Sequence, residues 1–351
     1  MPSSRFPDRV LAWFERHGRK DLPWQNPREA YRVWVSEIML QQTQVSTVIP
    51  YFERWMRRFP DIETLAAAPE DAVLSLWSGL GYYARARNIH KTARLCTERF
   101  EGRLPDNAGE LTELPGIGRS TANAILSQAF DHPAAVLDGN VKRLLARHAG
   151  IEGWPGAPKV QSKLWLEAEA RLPRRSAADY SQAMMDLGAL VCTRSNPACR
   201  RCPVSDDCRA LELDAIDRIP ASRPRKPVPE KTVHMLVLRD GEGRTLLQRR
   251  PPSGIWGGLW SLPEGDSKKA ALLKLGLNGE DLDGRERGLP DIEHRLTHLR
   301  LHIKPALVTL PPAGTLQCGS LRENPDMAWF GREALKGLGL PKPVNDLLQE
   351  Y

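Results

Sequence analysis

Four cysteines stand close together in the chain, at Cys192, Cys199, Cys202 and Cys208, separated by six, two and five residues. Four thiolates held by short loops can bind one tetrahedral zinc ion or the four irons of a cubane cluster. Structural zinc sites usually combine two close pairs of ligands, whereas here one close pair is flanked by single cysteines and precedes Pro203. The spacing therefore favours a [4Fe-4S] cluster, with zinc and disulfides as the alternatives.

Two carboxylates are candidates for acid-base chemistry. Glu37 lies on a predicted helix beside Val33 and Trp34, and burial on such an apolar stripe raises the pKa of a carboxyl group. Asp138 stands just before a helix predicted to begin near Asn140, where free N–H groups favour the ionised form. An acid that protonates a leaving base and an anion that stabilises a cationic sugar suit hydrolysis of an N-glycosidic bond. The alternatives are a glutamate at the rim of the core and a plain N-cap aspartate.

A turn with two glycines is a candidate phosphate site. It contains Leu114, Gly116, Gly118 and Ser120 and precedes a helix predicted over residues 120–130. Glycine permits positive φ, so successive N–H groups at the start of a helix can converge on a phosphate oxygen. An ordinary Pro-Gly turn explains the first glycine but not the second.

The elements that must position these residues form two predicted domains in a chain of 351 residues. Helical periodicity predicts a mainly α-helical domain over residues 1–215, with the cluster loop at 192–208. A Pro- and Arg-rich linker follows over 216–231, and four prolines lie between positions 218 and 231. Strand-like patterns over 232–238 and 245–250, and at Leu299, Leu301 and Ile303, predict a smaller α+β domain over 232–351.

Charge and hydropathy narrow the class of protein. The formal net charge of +7 favours a polyanionic partner such as nucleic acid, although surface solubility explains it equally well. The N-terminus lacks an export pattern, and no segment approaches the apolar length of a membrane span. We therefore expect a soluble intracellular protein without a membrane partner.

The hairpin, the aspartate twenty residues after Gly118 and the cysteines occur in one order along the chain. In this the chain resembles the helix-hairpin-helix superfamily of base-excision DNA glycosylases. The resemblance implies a [4Fe-4S] cofactor held by the four cysteines in a structural role. It also implies that Glu37 and Asp138 are the catalytic carboxylates and that Asn140 orients Asp138 or the sugar. DNA contacts are implied for the hairpin residues Leu114, Gly116, Gly118 and Ser120.

The branch of the superfamily is indicated by three segments. Bifunctional members carry a lysine nucleophile where this chain has Ser120, and serine lacks the amine that a Schiff base needs. The run Leu-Gln-Gln-Thr-Gln-Val at positions 40–45 resembles the segment with which MutY-type adenine DNA glycosylases probe the duplex. This implies DNA contacts for Gln41, Gln42 and Thr43. By the same resemblance, Tyr82 wedges between base steps, with core packing as the alternative.

Further DNA contacts are expected around these residues. Arg85 and Arg87 follow Tyr82 and are expected to hold phosphates. Lys142 and Arg143 follow Asp138 and are also assigned to DNA binding.

The second domain resembles the Nudix fold in the run Gly-Leu-Trp-Ser-Leu-Pro-Glu-Gly at positions 258–265. Where a Nudix hydrolase has paired glutamates for magnesium, positions 272–276 contain no carboxylate. The resemblance to the MutY family implies a degenerate Nudix domain that contacts 8-oxoguanine opposite the target adenine. Thr297 and His298 lie where that family has Phe-Ser-His and are expected to hydrogen-bond the modified base. An exposed hairpin tip is the alternative.

Together these observations predict a monofunctional adenine DNA glycosylase. We expect a monomer acting on double-stranded DNA that holds adenine opposite 8-oxoguanine or guanine, with the linker as a candidate site for a repair or replication partner. The alternatives are an endonuclease III-like glycosylase and AP lyase for oxidised pyrimidines, and a DNA-binding module without catalysis.

Overall fold

The computed structural model describes residues 5–224, 227–277, 282, 285–310 and 324–351. The chain divides into two compact units, Met1–Ala67 with Asn88–Arg225, and Ala68–Arg87 with Lys226–Tyr351. The first unit is helical and the second contains the β-sheet, which confirms the predicted fold class. No pattern in the sequence predicted that Ala68–Arg87 would group with the second unit.

Helices make up the N-terminal unit. They are α1 (Arg5–His17), α2 (Ala30–Leu40), α3 (Val45–Arg58), α4 (Ile62–Ala67), α6 (Ala84–Arg99), α7 (Ala108–Glu113), α8 (Arg119–Phe130), α9 (Gly139–Ala149), α10 (Pro158–Ala170), α11 (Ala177–Leu190), a 3-10 turn (Cys199–Arg201) and α12 (Arg209–Glu212). Helix α6 begins in the second unit and continues in the first.

The helices that carry the candidate residues begin and end at capping residues. The Asp138 carboxylate accepts the Val141 N–H at 2.7 Å at the start of α9, and Gly150 ends that helix with φ 66°. Helix α8 begins after Gly118 and ends at Asp131, whose φ is 53°. These caps fix the ends of α8 and α9 and hence where the intervening segment lies.

One apolar core holds α1, α9, α10 and α11 together. Its members include Phe6, Trp13, Leu145, Trp165 and Leu187, all buried. Helix α11 packs against α1, α8 and α9, while α2 packs against α8. The helices that carry Glu37 and Asp138 therefore rest on a common framework, which limits how far either carboxylate can move.

A mixed sheet forms the centre of the C-terminal unit. Its described strands are β1 (Glu230–Arg239), β2 (Thr245–Arg249), β3 (Trp260–Ser261), β4 (Glu264–Gly265), β5 (Glu286–Gly288), β6 (Ile292–Arg295), β7 (Arg300–Thr309) and β8 (Met327–Phe330). The order is β3-β2-β1-β7-β5, with β4 on β1, β6 on β7 and β8 on β2. Strands β1 and β7 pair in parallel from Glu230 and Arg300 to Arg239 and Thr309. Strand β1 thus begins within the predicted linker.

Short helices accompany this sheet. They are α5 (Glu70–Trp77), α13 (Lys268–Lys274), α14 (Arg332–Leu335) and α15 (Lys342–Glu350). Across the part of the chain that the structure describes, no helix has both the length and the apolar character that a membrane crossing requires.

Candidate active site

A cavity of about 880 Å³ in the N-terminal unit brings the two carboxylates together. Its volume is in the range of small-molecule sites. Residues predicted for catalysis or DNA contact line it: Glu37, Gln41, Gln42, Thr43, Ser120, Asp138, Asn140 and Lys142. These come from α2 and the turn that follows it, from the start of α8 and from the start of α9.

Glu37 is enclosed by protein at the wall of this cavity. Its Oε1 accepts a hydrogen bond of 3.2 Å from Nε2 of Gln128 on α8. The pKa of Glu37 lies at about 7 instead of the usual 4.5, because burial and then the negative charge of Asp138 raise it, while the Gln128 bond lowers it. With this pKa, Glu37 still carries its proton in a substantial fraction of the molecules at neutral pH. The predicted rise in the pKa of Glu37 is present.

Asp138 is held by the start of α9. One carboxylate oxygen accepts the Val141 N–H at 2.7 Å, and the other is 3.4 Å from Nδ2 of Asn140. Burial raises the pKa of Asp138, while these hydrogen bonds and the charge of Arg143 lower it, so that a net rise remains. The ionised form of Asp138 is therefore less favoured than the sequence predicted. The cost of removing the carboxylate from solvent outweighs the stabilisation that it gains at the start of α9.

Arg143 connects Asn140 to the cysteine loop. Its Nη2 donates to Oδ1 of Asn140 at 2.9 Å and to the carbonyl of Gly188 at 2.6 Å. Its Nε donates to the carbonyl of Cys192 at 2.7 Å. Arg143 thus orients the Asn140 side chain, which in turn faces Asp138. The predicted DNA contact of Arg143 stays a prediction.

The hairpin leaves the start of α8 without a side-chain cap. Gly116 has φ 82°, and a side chain there would meet Asn88 at 3.0 Å. Leu114 is 2 % exposed and anchors the turn in the core. A Cβ added at Gly118 would meet open space. The first N–H groups of α8 can therefore reach a ligand that approaches Gly118, as the phosphate hypothesis requires.

Ser120 has a structural contact that the sequence did not predict. Its Oγ accepts a hydrogen bond of 3.1 Å from the backbone N–H of Leu137. Leu137 directly precedes Asp138, so Ser120 connects the helix after the hairpin to the residue before Asp138. The hydroxyl also lines the cavity.

The turn after α2 has the backbone of a strained functional loop. Gln41 ends the helix, Gln42 has φ 60°, and Thr43 Oγ1 lies 3.5 Å from the Gln41 carbonyl. Non-glycine residues with positive φ are uncommon and tend to occur at functional sites. These three residues and Lys142 face the cavity, while their contacts with DNA stay predictions.

The four cysteines are free thiols that line a second, small cavity, so the described structure contains no disulfide among them. Arg147, 3 % exposed, lies beside this cavity with Nη1 3.5 Å from Cys192 Sγ. A buried guanidinium can offset the negative charge of clustered thiolates. Within the described residues, no three Cys, His, Asp or Glu side chains converge on a point suited to one metal ion. The donor set of four thiols around one cavity matches the number and type of ligands that a cubane cluster takes.

Comparisons with known proteins identify the family of this chain. The model of the HhH-GPD superfamily of base excision DNA repair proteins matches residues 35–169, and the NUDIX domain model matches residues 234–350. An adenine DNA glycosylase of Buchnera aphidicola (subspecies Schizaphis graminum) is 38% identical over 346 residues, 99% of this chain and 98% of that protein. The human adenine DNA glycosylase is 35% identical over 83% of this chain and 64% of its own length.

A solved thermostable thymine-DNA glycosylase covers 60% of this chain and 97% of its own, with TM-score 0.54 and 25% identity. The near-complete alignment with the Buchnera protein decides the family. The chain belongs to the adenine DNA glycosylase family. The resemblances to the helix-hairpin-helix superfamily and to the Nudix fold are thereby confirmed.

Several residues of this adenine DNA glycosylase site had no signal in the sequence. Arg19 and Gln182 line the cavity, and both are held by fully buried Asp186, at 2.6 Å from Arg19 Nη2 and 2.7 Å from Gln182 Nε2. Gln128 was also missed. Gln128 lies on α8 just after the hairpin, but its partner Glu37 is 91 residues away in the chain, so that only the folded chain shows this contact.

Tyr82, Thr297 and His298, which the sequence predicts to contact DNA near the opposite base, lie within the C-terminal unit. Tyr82 has φ 48° and is 43 % exposed, whereas Tyr83 is 8 % exposed. Thr297 and His298 are exposed in the turn between β6 and β7, and the Tyr82 hydroxyl hydrogen-bonds Oγ1 of Thr297. The structure thus places Tyr82 beside one of the two residues predicted to contact 8-oxoguanine.

Arg85 and Arg87, which the sequence predicts as phosphate ligands, bond to backbone carbonyls of the protein in the structure. Arg85 is 8 % exposed and donates to the carbonyls of Leu80 and Gly81 at 3.0 and 3.2 Å. Arg87 donates to the carbonyls of Gly257 and Pro252. Both guanidinium groups therefore donate hydrogen bonds to backbone carbonyls inside the C-terminal unit. The sequence pattern did not predict these partners.

The Nudix-like segment keeps its fold without the catalytic carboxylates. Glu264 pairs with Arg250 through two bonds of 2.7 and 3.0 Å, which makes it a structural residue. Helix α13 contains no acidic residue. Within its described residues, α13 therefore offers no carboxylate ligand for magnesium.

Proposed function

We propose that this protein removes adenine from double-stranded DNA where the adenine lies opposite 8-oxoguanine or guanine. The observation that carries the proposal is the pairing of Glu37, with a pKa of about 7, and Asp138 in one cavity. The relatives named adenine DNA glycosylase support the choice of base.

Glu37 acts as the general acid. A flipped-out adenine enters the cavity, and the neutral Glu37 carboxyl donates its proton to N7 of the base. Protonation weakens the bond between N9 and C1′ because the leaving base departs neutral. Gln128 fixes the carboxyl by its 3.2 Å bond to Oε1, so that the proton is carried at a defined position.

Asp138 stabilises the positive charge that develops on the sugar as the base leaves. Its orientation is set by the Val141 N–H at 2.7 Å and by Asn140, which Arg143 holds in place. Ser120 occupies the position of the lysine nucleophile of bifunctional enzymes and has no amine. The protein therefore releases the base and leaves the DNA backbone intact.

Positioning of the duplex falls to the hairpin and the turn after α2. N–H groups at the start of α8 bind a phosphate next to Gly118. Gln41, Gln42, Thr43 and Lys142 contact the DNA at the mouth of the cavity that they line. These contacts keep the flipped nucleotide in place while Glu37 donates its proton.

Cys192, Cys199, Cys202 and Cys208 would hold a [4Fe-4S] cluster, with Arg147 offsetting its negative charge. Neither carboxylate needs an iron atom, so the cluster serves to shape the loop around 192–208. The C-terminal unit would recognise the opposite base through Thr297 and His298, with Tyr82 inserted between base steps. The working form is a monomer, and the linker is a candidate site for a repair partner.

Single-turnover kinetics with the whole chain test this proposal. The substrates are duplexes with adenine opposite 8-oxoguanine, guanine or thymine, and free adenine and strand breaks are measured separately. We expect adenine release opposite 8-oxoguanine and guanine, little release opposite thymine, and strand breaks only after alkali. Strand cleavage without alkali, together with borohydride trapping of the protein on DNA, would show a lyase and reject the monofunctional assignment.

A further inference from the structure

Segment Ala68–Arg87, which lies within the residues matched by the superfamily model, groups with the C-terminal unit. Its contacts there are specific. Arg249 lies 3.2 Å from Glu70, and the hydroxyls of Ser78 and Tyr83 each donate to the Leu340 carbonyl at 3.2 Å. The segment that carries Tyr82 is therefore held by the unit that carries Thr297.

Arg87, five residues after Tyr82, contacts two backbone carbonyls of the C-terminal unit. Its Nη2 donates to the carbonyl of Pro252 at 3.1 Å, and its Nη1 donates to the carbonyl of Gly257. Gly258 has φ 77°, and a Cβ there would lie 3.3 Å from Arg87 Cδ. The planar guanidinium thus joins the two ends of the loop 251–258 by bonding a carbonyl at each end. The single ammonium group of a lysine could not make this pair of bonds in the same geometry.

The loop that Arg87 closes supports the turn that carries Thr297. Trp256 at its centre has φ 55°, a conformation that a bulky residue keeps only when its surroundings enforce it. The Trp256 ring is 8 % exposed and packs on His294 of β6, with ring centres 5.6 Å apart. On its other side the loop is held by Arg250, which donates to the Ile255 carbonyl at 2.8 Å.

We infer that Arg87 is a positioning residue for opposite-base recognition. Arg87 holds the loop 251–258, and Trp256 of that loop packs on His294 of β6. Through these contacts Arg87 positions the β6–β7 turn beside Tyr82, so that Tyr82 and Thr297 form part of one surface. This inference rests on the proposed function, since it concerns how that function distinguishes 8-oxoguanine from guanine. It does not require Arg87 to touch DNA.

The test compares Arg87→Gln and Arg87→Lys with Arg244→Gln, an exposed arginine of the same unit paired with Asp240. Single-turnover adenine release is measured for each whole protein on duplexes with 8-oxoguanine or guanine opposite adenine. The quantity of interest is the ratio of the two rate constants. The salt dependence of duplex affinity is measured in parallel, with each substitution combined with Glu37→Gln to prevent turnover.

We expect the ratio to fall on the order of fivefold or more in both Arg87 variants and to stay at the native value in Arg244→Gln. Lysine does not rescue because it cannot bond two carbonyls in a fork, and the salt slope stays unchanged because no phosphate contact is lost. Gly258→Ala, which crowds Arg87, should lower the ratio in the same way and serves if the Arg87 variants do not fold.

Three results would overturn the inference. Rescue by lysine, with a salt slope reduced by about one in Arg87→Gln, would make Arg87 a phosphate ligand. Equal losses on both duplexes would make it a residue that only stabilises the fold. A native protein that releases adenine without preference for 8-oxoguanine would reject the proposed recognition itself, and that outcome is visible before any variant is compared.

Discussion

Replacing Glu37 with glutamine should make the protein more stable at alkaline pH while removing its activity. The structure holds the pKa of Glu37 at about 7, against the usual 4.5. A carboxyl group with a raised pKa in the folded state contributes stability below its unfolded pKa and loses that contribution as the pH rises through the folded value. The loss therefore falls between pH 4.5 and about 7, and above this window the native protein holds an unfavourable buried anion.

The size of the effect follows from that interval. At about 1.4 kcal/mol per pH unit, the ionised group costs up to about 3 kcal/mol of unfolding free energy at pH 8.5 and about 1 kcal/mol at pH 5.5. Glutamine is neutral at both values and still offers an oxygen to Gln128. We therefore expect Glu37→Gln to exceed the native protein in stability by an amount that grows by about 2 kcal/mol between these two pH values.

Thermal unfolding of both proteins, followed by circular dichroism at pH 5.5 and 8.5, measures this difference. Each kcal/mol corresponds to roughly 2–4 °C in Tm for a domain of this size. The matched control is Glu53→Gln on the exposed side of α3, for which the difference should not grow with pH. If Glu37→Gln were no more stable than the native protein at pH 8.5, the argument that burial keeps Glu37 protonated would be wrong.

Three further substitutions follow from the same contacts. Asp138→Asn keeps a residue that can cap α9, so the free energy of unfolding should change by less than about 1 kcal/mol. Single-turnover adenine release should fall by roughly 100-fold or more, because the anion is lost. A rate within tenfold of native would contradict the role of the anion. Ser120→Ala leaves the Leu137 N–H without its acceptor and should lower the unfolding free energy by about 1–2 kcal/mol, measured by denaturant titration; an unchanged value would show that the bond is dispensable. Cys199→Ser should lower iron content and duplex affinity before it changes the rate of DNA-saturated protein, and cluster-free protein with native affinity would refute the structural role of the cluster.

Local chemistry in the sequence predicted the surroundings of Glu37 and Asp138 in part. Asp138 is followed by a helix in both the prediction and the structure, because the capping preference of aspartate is a property of a few neighbouring residues. The apolar stripe around Glu37 likewise predicted its raised pKa. The net shift at Asp138 was not predictable, since burial depends on α8 and α11, which pack nearby only in the fold.

Contacts between distant segments account for what the sequence did not predict. Arg85 and Arg87 follow an exposed tyrosine, and a basic pair in that position suggests phosphate binding. Their partners are backbone carbonyls, and those of Arg87 lie about 165 to 170 residues further along the chain. Asp186, which holds Arg19 and Gln182 in the cavity wall, has no motif around it. Such partners have no periodicity or spacing that a single sequence could display.

The most direct test of the account is the pH dependence of adenine release by the native chain, measured in single turnover on a duplex with adenine opposite 8-oxoguanine. If neutral Glu37 donates the proton, the rate constant should fall about tenfold per pH unit as the pH rises above about 7. Glu37→Gln should release no adenine at any pH. A native rate that stays constant from pH 6 to 9, or a glutamine variant that releases adenine at the native rate, would contradict the central claim.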